Sequence, residues 1–167
     1  MSGYELAQLN IGRIRGPMDS PIMAEFAANL ARINALADES PGFVWRLQTE
    51  AGDATALRPF EDDDLLVNMS VWRDLASLTA YVYRSAHVEV MRRRREWFQR
   101  MDQPSLVLWW VARDHRPELA EARGKLELLR SRGPTPQAFS FGAAFPAPDV
   151  TVPAASPFSI GDTCPAS

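Results

Sequence analysis

Leu106–Val107–Leu108–Trp109–Trp110–Val111 is apolar at every position, with no alternation between a dry and a wet side. A strand with one solvated face alternates, whereas an unbroken apolar run needs cover on both faces of its sheet. The run is also too short for a bilayer-spanning helix, which takes about 20 residues. It predicts an interior strand over Ser105–Ala112, and the rest of the chain must supply the layers around it.

The flanking patterns supply candidates. Tyr4 to Ile14 alternates, with Ala7, Leu9 and Ile11 on one side and Gln8 and Asn10 on the other, and reads as a first strand. After Gly16–Pro17, Ser20 and Pro21 form an N-cap and first-turn pair for a helix reaching about Asp38. Its stripe is Ile22, Phe26, Leu30, Ile33 and Ala37, and Ser40–Pro41–Gly42 stops it. A second strand is predicted over Phe43–Thr49, followed by a polar loop with acidic residues at Glu61–Asp64, and a third strand over Leu65–Trp72. Asp74 can cap a long helix running to about Met101, with a break expected near Arg84–Ser85 because such length is unusual in a globular fold. A last helix begins at Pro117, turns Leu119, Ala122, Leu126 and Leu129 inward, and ends at Gly133–Pro134.

The order strand, helix, strand, strand, helix, strand, helix predicts an α+β fold: a ferredoxin-like split βαβ with a four-stranded antiparallel sheet and an extra C-terminal helix. The folded domain is placed at residues 1–133. Residues 134–167 hold seven of the 13 prolines and read as a Pro/Ala-rich tail, partly docked through Phe139, Phe141 and Phe145 and otherwise disordered. In a split βαβ both main helices lie on one face of the sheet, so the other face, holding some of Trp45, Trp72, Trp109 and Trp110, would be left wet. That predicts a homodimer, in which two such sheets cover each other.

A net charge of −3 gives no drive towards nucleic acid or acidic membranes, so neither is an expected partner. Arg92–Arg95 points around a helix rather than along one groove, and only Arg94 is assigned to a ligand. Cys164 is the only cysteine, which rules out an internal disulfide framework, and the chain shows neither signal-peptide pattern nor membrane span; a soluble cytoplasmic protein is expected. Two histidines cannot compose a common zinc site, the glycines lack Rossmann or nucleophile-elbow spacing, and Glu61–Asp64 lacks that of a calcium loop.

On one continuous helix, Tyr83, His87, Val90, Met91, Arg94, Trp97 and Phe98 would share a face. Histidine and arginine among aromatic and aliphatic groups suggest the wall of a pocket, between sheet and helices, for an apolar and anionic ligand. The expected substrate-binding set is Arg94, Tyr83, Met91, Trp45 and Trp109.

The element order, the strand ending in Val71–Trp72, the segments Ala7–Gln8–Leu9–Asn10 and Pro41–Gly42–Phe43–Val44–Trp45–Arg46–Leu47, and Tyr83–Arg84–Ser85–Ala86–His87 followed by Arg93–Arg94–Arg95–Glu96–Trp97–Phe98 carry a resemblance. They resemble a bacterial family of domains of unknown function in the dimeric α/β-barrel superfamily, over roughly residues 4 to 146. That superfamily includes antibiotic-biosynthesis and heme-degrading monooxygenases. The resemblance implies Asn10, Trp72 and His87 as catalytic residues, with Tyr81 or Tyr83 assisting. In the cofactor-free version, His87 serves as general base near neutral pH. In the heme version, it is the axial ligand, although the interval from Trp72 to His87 is longer than in heme-degrading relatives.

The resulting expectation is a small-molecule enzyme of monooxygenase type acting on an aromatic or apolar metabolite, with no certain cofactor. The alternatives are a heme-binding protein or heme enzyme, and a non-catalytic dimeric ligand-binding protein.

Overall fold

The computed structural model describes residues 2–48, 64–84 and 87–150, apart from the side chains of Arg84 and His87. Strand β1 (Tyr4–Ile14) is followed by a 3₁₀ turn at Pro21–Met23, α1 (Ala24–Glu39), β2 (Phe43–Arg46) and β3 (Leu65–Trp72). Then come α2 (Leu75–Arg84), α3 (His87–Arg92), α4 (Arg94–Trp97), β4 (Phe98–Gln99), β5 (Leu106–Ala112) and α5 (Leu119–Arg132). No described helix is long and apolar enough to cross a membrane.

The architecture is α+β with an antiparallel sheet, as the element order predicts, but among the described residues the sheet has five strands rather than four. The extra one is β4, two residues that extend the β1 edge at Arg13 and Ile14, where the sequence pattern predicts helix. Strand β1 is central. It pairs with β3 from Leu6↔Trp72 to Arg13↔Leu65, and with β5 from Tyr4↔Ala112 to Asn10↔Leu106. Strand β2 lies outside β3.

This register sorts the side chains onto two faces. Ala7, Leu9 and Ile11, with Val67, Met69, Val71, Val107, Trp109 and Val111, point to one side and are buried. Ala122, Leu126 and Leu129 of α5 pack on them, together with Ala138. The face expected to need a second copy carries the chain's own α5. Pro117 is not the start of that helix; α5 begins at Leu119 and closes at Gly133, whose φ of 72° suits a helix terminus only glycine adopts without strain.

The opposite face carries Leu6, Gln8, Asn10, Gly12, Leu66, Asn68, Ser70, Trp72, Leu108 and Trp110, beneath α1 to α4. Gly12 is needed there, because an added Cβ would lie 2.5 Å from the Phe98 ring. Ser20 does not cap the first helix; its hydroxyl turns back to the Pro17 carbonyl, and the helix opens through the 3₁₀ turn. Asp74 does cap α2, accepting hydrogen bonds from the Ser77 amide at 2.8 Å and hydroxyl at 2.7 Å.

The described part of the expected long helix comprises α2, α3 and α4, of which α3 and α4 are divided at Arg93. Residues 85 and 86 lie outside those described, and α3 resumes at His87. Beyond α5, the Phe139 amide and carbonyl bond the backbone of Leu108 at 2.9 and 2.8 Å, and Trp110 donates its indole N–H to the Phe145 carbonyl at 2.9 Å. The stretch from Ala138 to Ala147 therefore packs on the body, with Phe139 buried. Residues 151–167 and the loop at Glu61–Asp63 lie outside the described residues.

Candidate functional site

The apolar stripe of α1 does not close onto the sheet. Phe26, Leu30 and Ile33 stay half-buried, and a cavity of about 180 Å³ separates them from the strands. That is close to the ~150 Å³ at which an apolar protein cavity takes up benzene, so the space suits one or two rings. Its walls come from α1, Leu78, Tyr81 and Val82 of α2, and Val90, Met91, Arg94 and Trp97 of α3 and α4.

The floor is polar because the pleat places every second residue of β1 and β3 upward. Gln8 donates its amide N–H to Asn68 Oδ1 at 2.6 Å and to Ser70 Oγ at 2.8 Å. Ser70 Oγ also accepts the Trp72 indole N–H at 2.9 Å. Gln8, Ser70 and Trp72 are buried, so this ladder holds the indole in place without any charge. Asn10 sits across from Asn68, lines the cavity, and its amide has no hydrogen-bond partner among the described residues.

Among the described residues, two cations reach the cavity. Arg46 is neutralised by Asp38 at 2.7 Å. Arg94 has no carboxylate partner among the described residues: its guanidinium lies over the Phe98 ring at 5.3 Å and donates only to the Ile11 carbonyl, at 3.4 Å. Burial lowers its pKa from the ordinary value, which marks a cation held away from water without a counter-charge.

Tyr81 stacks on Trp72 with ring centroids 5.0 Å apart and donates to the Ile33 carbonyl at 3.3 Å. Burial, then the negative charge of Asp38, pushes its phenol from 10.0 up to about 12. Between those values the native chain keeps a proton that the unfolded chain releases. The associated stability is therefore fully present below the lower value and is lost as pH rises through the window, by about 3 kcal/mol. Denaturant unfolding on either side of the window should show that loss in the wild type and a flatter response in Tyr81→Phe.

The structure brings Asn10, Trp72, Met91 and Arg94 together around one cavity. Three residues expected there lie elsewhere. Tyr83 is 58% exposed and meets Phe141 edge-on, off the α2 face that turns Leu78, Tyr81 and Val82 to the cavity. Trp109 points to the α5 side, where its indole N–H binds Glu121 at 2.9 Å. Trp45 joins that same side because a bulge between Phe43 and Trp45 shifts the pairing, leaving Phe43 to pack on Trp72. The His87 side chain lies outside the described ones. Gln8, Ser70 and Asn68 had not been assembled into a site; their shared parity with Asn10 and Trp72 is the signal that could have found them. Among the described residues, no cluster of three or more His, Cys, Asp and Glu side chains could hold a metal ion.

A family model described as a domain of unknown function, DUF3291, matches residues 5–155. The chain belongs to the DUF3291 family. Among solved structures, this DUF3291 chain is similar to SnoaB of Streptomyces nogalater, a cofactor-independent oxygenase. Identity is 24%, coverage 68% of this chain and 98% of that one, and the TM-score 0.47. It is also similar to NE2512 of Nitrosomonas europaea, of unknown function, at 13% identity, 70% and 95% coverage and a TM-score of 0.44. PA3566 of Pseudomonas aeruginosa follows at 16% identity, 69% and 98% coverage and a TM-score of 0.41. No curated protein matches the sequence.

Proposed function

We propose that this chain is a small-molecule oxygenase acting on an aromatic substrate of one to two rings that carries an acidic phenol or enol. The observation that carries the reading is the pairing, in one largely apolar cavity, of an Arg94 and an Asn10 amide, the first with no described carboxylate partner and the second with no described hydrogen-bond partner. The Arg94 bond to the Ile11 carbonyl brings the guanidinium to the stretch of β1 next to Asn10. A ring inserted between α1 and the ladder would lie against Trp72. Its oxygen would find a cation and an amide, in surroundings where both act more strongly than in water.

Those groups stabilise the anion formed when the substrate loses a proton. The electron-rich anion supplies the electrons for reaction with dioxygen. At an activated methylene the balance is simple: two hydrogens leave the carbon, one oxygen atom becomes its carbonyl, and the other departs with the hydrogens as water. Neither Arg94 nor Asn10 changes oxidation state.

The test is oxygen uptake with two-ring phenols bearing an acidic methylene, with anthrone as the three-ring limit. Isotopic dioxygen should place one labelled atom in product and one in water. Arg94→Gln should lower kcat by about 10²-fold, the usual cost of removing a donor aimed at developing charge, with little change in unfolding midpoint. His87→Ala tests the general base expected from the sequence. Substrates that bind without accelerated oxygen uptake would reduce the reading to ligand binding. A saturable hemin spectrum lost in His87→Ala would replace it with a heme protein.

A further inference from the structure

The arginine run read as a solvated surface is divided by the fold. Arg93 is consumed locally: it pairs with Glu25 and, at 2.6 Å, with Glu96, and lies 4.9 Å over the Trp97 ring. Arg94 turns inward to the cavity. Arg95 faces a second concavity, an open cleft of about 630 Å³ on the far side of Arg94 and Phe98.

This cleft gathers charge of one sign. Among the described residues, Arg15, Arg94, Arg95 and Arg100 line it, together with Gln99 and Ser105, and no aspartate or glutamate does. None of the four arginines forms an ion pair with a described carboxylate. Arg15 donates through Nε to the Arg95 carbonyl at 2.8 Å, which ties the β1 end to α4 and fixes one wall. Guanidinium groups crowded into one concavity repel one another, and an anion among them relieves the repulsion while accepting their forked N–H groups. Arg94 and Phe98 line both spaces, so cavity and cleft adjoin across a shared wall.

We propose that the cleft binds the phosphoryl group of a ligand whose ring system occupies the cavity, with Arg15, Arg95 and Arg100 on the phosphoryl oxygens and Arg94 at the junction. This rests on the reading of the cavity as the ligand site and narrows the substrate class to phosphorylated aromatics. Several guanidinium groups around one opening suit a group with more than one negative charge and several oxygens, rather than a single carboxylate.

The experiment compares 2-naphthol, 2-naphthoate and 2-naphthyl phosphate by calorimetry on the full chain, wild type beside the double variant Arg95→Gln/Arg100→Gln. Neither of those two side chains has a described partner, and a melting curve checks that the variant folds. The phosphate ester should bind the wild type at least ~10-fold more tightly than naphthol, consistent with charge-assisted hydrogen bonds, and added salt should erode the gain. The double variant should lose that gain while holding naphthol equally well. A phosphate gain that is absent, or that survives in the double variant, overturns the cleft assignment and leaves the cavity reading intact. Naphthoate matching the ester overturns the phosphoryl preference. If naphthol fails to bind while inorganic pyrophosphate still does, the cavity reading falls and the two-part ligand falls with it.

Discussion

Gly42→Ala is expected to destabilise the fold by about 2–5 kcal/mol, combining the cost of a left-handed backbone with that of overpacking. Gly42 turns the chain from α1 into β2 at a φ of 83°, a region that an L side chain rarely adopts. An added Cβ there would also overlap the Ser77 side chain. Ser77 cannot readily give way, because its hydroxyl and amide are held by Asp74 and its oxygen accepts from Arg73 at 3.3 Å. The Arg73 amide in turn donates to the Gly42 carbonyl at 2.7 Å, so the turn and the start of α2 form one unit. Gly124→Ala supplies a control of opposite sign. It lies within α5 with nothing within 4 Å of the added Cβ, and should gain about 0.5–1 kcal/mol. Urea unfolding of both variants checks the pair; equal effects would show that the Gly42 conformation relaxes without cost.

Trp72→Ala should cost about 3–5 kcal/mol, the range for deleting a large buried aromatic side chain. Trp72 is 1% exposed, stacked on Tyr81 and met edge-on by Phe43 at 5.5 Å, so its loss leaves α2 and β2 without a common anchor. It also removes the indole donor to Ser70. Trp72→Phe separates these effects: most of the packing stays while the hydrogen bond goes, for a cost of about 1 kcal/mol. Unfolding midpoints give the stability difference, and near-ultraviolet dichroism should lose the Trp72–Tyr81 signal in both. Affinity for a naphthol should fall more steeply in the alanine variant, because the cavity there loses its flat floor.

The strands were legible and their relations were not. Alternation in Tyr4–Ile14 and Leu65–Trp72 fixes which residues share a side, since a strand repeats every two residues whatever it pairs with. Which sides meet depends on register, and register is set by partners distant in sequence. Hence Asn10 and Trp72 could be named separately, while the Gln8–Asn68–Ser70 ladder that lies between them could not. Trp45 shows the limit sharply, because one bulge in β2 sends it to the α5 side. The helical stretch after Asp74 misled for a related reason: which side of a helix meets the sheet is decided by packing partners, and α2 turns Leu78, Tyr81 and Val82 to the cavity while Tyr83 stays exposed. The inward stripe of α5 was visible, but its destination, the very face assigned to a second copy, was not.

Cover by α5 on one side and an imperfectly closed helical layer on the other divide labour across a single sheet. Leu9, Val107, Trp109 and Leu126 hold the chain together out of reach of any ligand, while the residues around Asn10 sit where packing was never complete. Exchanges on the cavity side at Leu30, Ile33, Val90 or Met91 therefore draw little on the interior that keeps the molecule folded. A protein arranged this way can change what it recognises in small steps and remain folded at each one, so relatives of similar architecture need not share a substrate.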